Sequence, residues 1–66
     1  MNIGSIIKEL RREKGMSQTE LAELLFTSQD TISLWERGKS LPDIAAVLKL
    51  TKIFKVSSDY LLGLEK

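Results

Sequence analysis

The chain has 66 residues, 42% of them apolar, with 10 Lys and Arg against 9 Asp and Glu for a formal charge of +1, and it contains neither Cys nor His. That length allows one small domain, which buries only about 60% of the surface its unfolded chain exposes. The missing residue types exclude a disulfide framework, a zinc–thiolate centre and the usual imidazole base or metal ligand, and the near-neutral balance excludes a strongly polybasic nucleic-acid coat.

In chain order, Ile3, Ile6, Ile7 and Leu10 recur at i, i+3, i+4, i+7 and predict an amphipathic first helix that Gly15 terminates. Ser17-Gln18-Thr19-Glu20 is a capping box, with Met16 and Leu21 placed as its hydrophobic staple. The second helix is expected to be short, to end near Leu25 and to bury Leu21, Leu24 and Leu25. Thr27-Ser28 caps a third helix, Asp30 lies in its first turn where the helix dipole favours an anion, Ile32 and Trp35 face inward, and Gly38 stops it. Leu41-Pro42-Asp43 starts a fourth, with Pro expected in the first turn. Ile44, Val47, Leu48, Thr51 and Phe54 form its inner stripe, widened by Leu50 and Ile53, which makes it the helix expected to be most buried. Ser57 caps a fifth helix, Val56 meets Leu61, Tyr60 joins Phe54 in the core, Gly63 is the last stop, and Leu64 folds back over it. Five helices with connections of a few residues make an all-α domain. The link between the second and third helices is too short for a relaxed hairpin, which leaves a steeply crossed helix-turn-helix.

Charge is unevenly spread. Residues 17–36 carry Glu20, Glu23, Asp30 and Glu36 and no cation, whereas residues 37–56 carry Arg37, Lys39, Lys49, Lys52 and Lys55 against Asp43 alone. Solvated helix faces account for most of this pattern. No apolar run approaches the roughly 20 residues of a bilayer span, and Met1 to Ser5 lacks the segments of a signal peptide. The expectation is a cytoplasmic domain held together by packing.

The stretch SQTELAELLFTSQDTISLWERGK, from Ser17 to Lys39, resembles the helix-turn-helix of the phage Cro and repressor family of XRE-type transcriptional regulators. LPDIAAVLKLTKIFKVSSDYLLG resembles that family's fourth and fifth helices. The resemblance implies a compact five-helix, lambda-repressor-like DNA-binding domain over 1–66, with its core at 4–63 and its helix-turn-helix unit at 17–37. It implies a helix crossing at Ala22 and Ile32, and a buried ion pair of Arg11 with Glu36. Gln18 and Thr19 match positions that touch the DNA backbone. Ser28, Gln29, Asp30, Thr31, Ser33 and Leu34 match recognition-helix positions, and Arg37, Lys39 and Ser40 match phosphate-facing ones. Phe26 and Lys55 stand where the family usually places Gly or Asn, at turns that need positive φ.

The resemblance also implies a prokaryotic or phage-encoded, sequence-specific regulator. It is expected to be a dimeric repressor of a pseudo-palindromic double-stranded DNA operator, joined near Tyr60, Leu61 and Leu64, with no catalytic residue, metal, cofactor, membrane or small-molecule site. The rival is a protein-interaction module on the same scaffold, antitoxin-like or an adaptor, which acidic residues 17–36 with Phe26 and Leu34 favour.

Overall fold

The computed structural model describes residues 2–64. These form five helices, α1 (Ile3–Glu13), α2 (Gln18–Leu24), α3 (Gln29–Glu36), α4 (Ile44–Phe54) and α5 (Ser58–Leu61), and no strand. Each helix begins at a polar side chain that accepts a hydrogen bond from a backbone N–H three residues on: Asn2, Ser17, Ser28, Asp43 and Ser57. Such a cap satisfies one of the four N–H groups that a helix start leaves without partners. At α2 the full capping box forms, with Glu20 Oε1 accepting from the Ser17 N–H at 2.9 Å.

The helix ends share a single device. Past each last turn stands a residue with positive φ, namely Gly15, Phe26, Gly38, Lys55 and Gly63. After α2, the Thr27 N–H reaches the Ala22 carbonyl and the Phe26 N–H reaches that of Glu23, the paired bonds of a Schellman stop. The same pair closes α1 through Met16 and Gly15, α3 through Lys39 and Gly38, and α5 through Leu64 and Gly63. Phe26 and Lys55 both sit at φ 56, so the two side chains that carry a Cβ into this region adopt the conformation their positions demand.

One fully buried side chain from each helix supplies the centre of the core: Ile7, Leu21, Ile32, Leu50 and Leu61. Each such burial contributes about 1.5–3 kcal/mol. Trp35, Leu10, Leu25, Phe54, Ile6 and Ala22 complete the cluster. α3 packs on both α1 and α2, and α5 joins α4 to α1. The α1–α3 approach is so close that a Cβ at Gly4 would lie 2.0 Å from the Trp35 carbonyl oxygen.

Several expected burials are corrected. Leu24 is exposed, because the inner face of α2 runs through Leu21, Ala22 and Leu25, and Leu24 lies more than a quarter turn from it. In α4, Leu50 and Phe54 are buried with Ala46, Val47 and Ile53 against them, whereas Leu48 is exposed and Ile44 is 79% exposed. The expected face holds at Val47, Leu50, Ile53 and Phe54 and fails at Ile44 and Leu48, so the inner face lies to the Leu50 side of the expected stripe, and α4 is not the most buried helix. Pro42 precedes the Asp43 cap rather than entering the first turn. Tyr60 is exposed and Leu64 lies open at 69%, although its N–H bonds to the Asp59 carbonyl at 2.8 Å. Leu61 is wholly buried in its own protomer's core and has no surface left for a dimer contact.

Candidate nucleic-acid interface

α2 and α3 are the two helices of the expected unit, and a four-residue link, 25–28, joins them. Ala22 and Ile32, 2% and 0% exposed, are both in the core, as a close crossing at a small residue requires.

Arg11 ties α1 to this unit. Its guanidinium grips the Glu36 carboxylate at two points, Nε to Oε2 at 2.7 Å and Nη2 to Oε1 at 3.0 Å, and its Nη1 donates to the Met16 carbonyl at 2.7 Å. The two side chains are only 10% and 3% exposed. Burial pushes the Glu36 pKa up, but the hydrogen bonds from Arg11 and Gln18 and the charges of Arg11 and Lys8 outweigh it and hold the carboxyl below its ordinary value. Among the described residues no buried side-chain nitrogen or oxygen lacks a hydrogen-bond partner.

Gln18 lies on the inner side of α2, in helical register with Leu21, Ala22 and Leu25, and is half-buried. Its Nε2 donates to Glu36 Oε1 at 3.1 Å, and its Oε1 accepts from Gln29 Nε2. A continuous hydrogen-bonded chain thus runs Arg11, Glu36, Gln18, Gln29, from the core to an exposed side chain at the start of α3. The family resemblance implies a DNA-backbone position for Gln18 and does not reveal this inward link; the signal available in the sequence is its i−3 spacing from Leu21.

The other expected residues divide by how free their side chains are. Gln29, Asp30 and Leu34 are exposed along α3, Thr19 is exposed on α2, and Arg37, Lys39 and Ser40 are exposed in the loop after α3. Arg37 Nε donates to the Ser33 carbonyl at 3.4 Å, while the Lys39 and Ser40 N–H groups both reach the Leu34 carbonyl. Ser33 is half-buried. Ser28 and Thr31 are engaged with each other, their hydroxyls 2.9 Å apart while Ser28 Oγ also caps the Thr31 N–H. Phe26 is 89% exposed at the turn, and the Lys49 ammonium of α4 stands 5.4 Å from its ring centroid.

A helix-turn-helix family model matches residues 7–61. The chain is 41% identical over 63 residues to the HTH-type transcriptional regulator ImmR of Bacillus subtilis (96% of this chain, 50% of that protein). It is 36% identical over 66 residues to the HTH-type transcriptional activator BcrR of Enterococcus faecalis (100% and 32%). The chain spans half or less of the length of these two curated relatives. Among solved structures it is similar to the P22 c2 repressor in complex with a synthetic operator (TM-score 0.91, 31% identity, 98% of each chain). It is also similar to SinR, a master regulator for biofilm formation, in complex with DNA (TM-score 0.80, 37% identity, 89% of this chain and 95% of that one). With its five-helix architecture and its α2–α3 unit, the chain belongs to the helix-turn-helix family, in its XRE-type, phage-repressor-like branch.

Proposed function

We propose that this chain is a sequence-specific, DNA-binding transcriptional regulator that reads the major groove of double-stranded DNA with α3. The observation that carries the reading is Gln29, exposed at the first position of α3 and held by Gln18 through one amide hydrogen. Its carbonyl and second N–H remain to meet adenine N6 and N7 together. Relatives named as transcriptional regulators, and a repressor and a regulator solved on DNA, support it. The unit 17–37 does the reading within a single domain, 1–66, whose core is 4–63.

In this reading α2 lies across the backbone with Thr19 and the outer edge of Gln18 on phosphate, while α3 enters the groove. Asp30 accepts from cytosine N4, Leu34 meets a thymine methyl, and Ser33 bonds a base edge. Ser28 and Thr31 lend their hydroxyls from the cap. Arg37, Lys39 and Ser40 hold phosphates and set position rather than sequence. With so few cations one copy binds weakly. Two copies on half-sites about 34 Å apart make a dimeric repressor, joined through the exposed Tyr60, Leu62 and Leu64 and acting in the cytoplasm on a pseudo-palindromic operator.

The test is selection from randomised duplex DNA at low salt. One enriched sequence, with its adenine preference abolished by Gln29→Ala, is expected. Uniform binding to all sequences, or an unchanged Gln29→Ala profile, overturns the reading.

A further inference from the structure

We propose that Lys49 of α4 is a phosphate contact for the DNA strand that flanks α3 on the side away from α2, and that the Phe26 ring is the positioning residue holding its ammonium there. This role rests on α3 being the groove helix, as proposed above, and adds the second wall of the groove. A helix with its side chains is about 10–12 Å across and the major groove about 12 Å wide, so a sugar-phosphate backbone runs along each flank of a helix lying in it.

Gln29 and Thr31 mark the two flanks of α3. They stand about 200° apart around the helix, with the buried Ile32 between them on the core side and the exposed Asp30 on the outer side. Gln29 meets Gln18 at the start of α2, so that flank belongs to α2. Thr31 instead lines a cleft between α3 and α4, together with Thr27, Phe26 and Lys49. The strand on this flank therefore meets the fold at α4. It finds no cation in residues 17–36, and Arg37 and Lys39 come after the far end of α3. Lys49 is the one cation among the described residues that line the cleft. Asp43, the one anion there, is occupied as the α4 cap, its Oδ1 accepting from the Ala46 N–H at 2.8 Å.

The Phe26 ring explains how a long, exposed lysine is aimed. The Lys49 ammonium stands 5.4 Å from the ring centroid, inside the range of a cation–π attraction. Phe26 holds a left-handed φ of 56 that glycine would take without strain. Its ring is almost wholly exposed, so burial offsets none of that cost. Backbone strain gathers where function requires it, and what this strained residue offers the solvent is a ring face under a cation. A lysine free to sample its rotamers loses them on gripping a phosphate. One already resting on a ring has fewer to lose, and its charge stays outward for the strand.

The experiment measures duplex affinity between about 50 and 200 mM salt for the full chain, Lys49→Gln, Lys52→Gln, Phe26→Leu and Phe26→Tyr. All three positions are exposed, so the variants are expected to fold. In Lys49→Gln the slope of log K against log salt should become shallower by about 0.9, one phosphate fewer, with the loss shared equally by all sequences. Lys52→Gln removes a charge from the same helix outside the cleft and should move the slope much less. Phe26→Leu leaves the lysine charge and the slope in place but should weaken binding about twofold to fivefold at fixed salt, and Phe26→Tyr, which keeps a ring face, should not. An unchanged slope in Lys49→Gln, or an equal change in Lys52→Gln, overturns the contact. Unmodified affinity in Phe26→Leu overturns the part given to the ring. In each case sequence selection by the unmodified chain leaves the proposed function standing, whereas no binding to any duplex overturns both.

Discussion

Lys55 and Phe26 occupy left-handed backbone at φ 56, where a Cβ costs about 1–2 kcal/mol relative to right-handed helix and glycine escapes that cost. Lys55 is exposed, so Lys55→Gly removes the strain and forfeits little packing. Against glycine's greater chain entropy the net gain is about 0.5–1 kcal/mol, seen as a rise in Tm of about 2–8 °C for a domain this size. A fall in Tm would mean that Lys55 contributes an attraction stronger than its strain. Glu36 makes a second prediction at this scale. Its pKa is held below the ordinary glutamate value, so its stabilising contribution is whole above about pH 4.3 and is lost as pH falls through the depressed value. Thermal unfolding followed from pH 7 to 2 should show a steeper acid loss in the unmodified chain than in Arg11→Met/Glu36→Leu. Equal slopes would remove the ion pair from the acid response. At both turns the need for positive φ was legible in the sequence through family resemblance. The Asn2 cap and the inward bond of Gln18 were not, since a polar side chain near a helix start has several partners within reach and only the fold selects one.

At the scale of elements, the stops and caps of α2, α3 and α5 follow from local chemistry, and the sequence places them within a residue or so. Local pattern fails where a neighbour decides the outcome. α4 carries apolar residues nearly all round, so periodicity alone could not choose its inner face. The face that won, Leu50 and Phe54, is the one α5 and its Leu61 pack against, and Ile44 was left outside. Gly4 is the complementary case: nothing in its neighbours in sequence marks it, yet the Trp35 carbonyl leaves it no room for a side chain. Gly4→Ala should cost about 3 kcal/mol, the upper end for overpacking, because the obstructing atom belongs to backbone and cannot rotate away. Denaturant unfolding measures this directly, and a loss under about 1 kcal/mol would show that α1 shifts freely on α3.

For the whole molecule, net charge describes little and its placement much. The acidic stretch 17–36 contains α2 and α3 themselves, while the cations Arg37 and Lys39 come immediately after. Affinity for DNA should therefore fall with salt at a slope set by few contacts, with log K against log salt near −3 to −4.5 per protomer if 3–5 phosphates are neutralised. A slope steeper than about −7 would point to a second basic surface, with Lys49, Lys52 and Lys55 as its first candidates. The described residues measure 29 × 23 × 21 Å, so two touching copies have centres closer than one helical turn of DNA and must present their α3 helices on outward halves. Sedimentation on an operator duplex tests this pairing: two copies per duplex are expected, and saturation at one would exclude it. The bare backbone at residue 4 has its largest effect here. It lets the backbone of α1 approach α3 at its Trp35 end, the end opposite Gln29. A side chain at this position would have to part the two helices, because the atom it meets is a backbone carbonyl oxygen. If α3 reads DNA as proposed, the absent side chain of a buried glycine in α1 thereby helps set the seat of that helix.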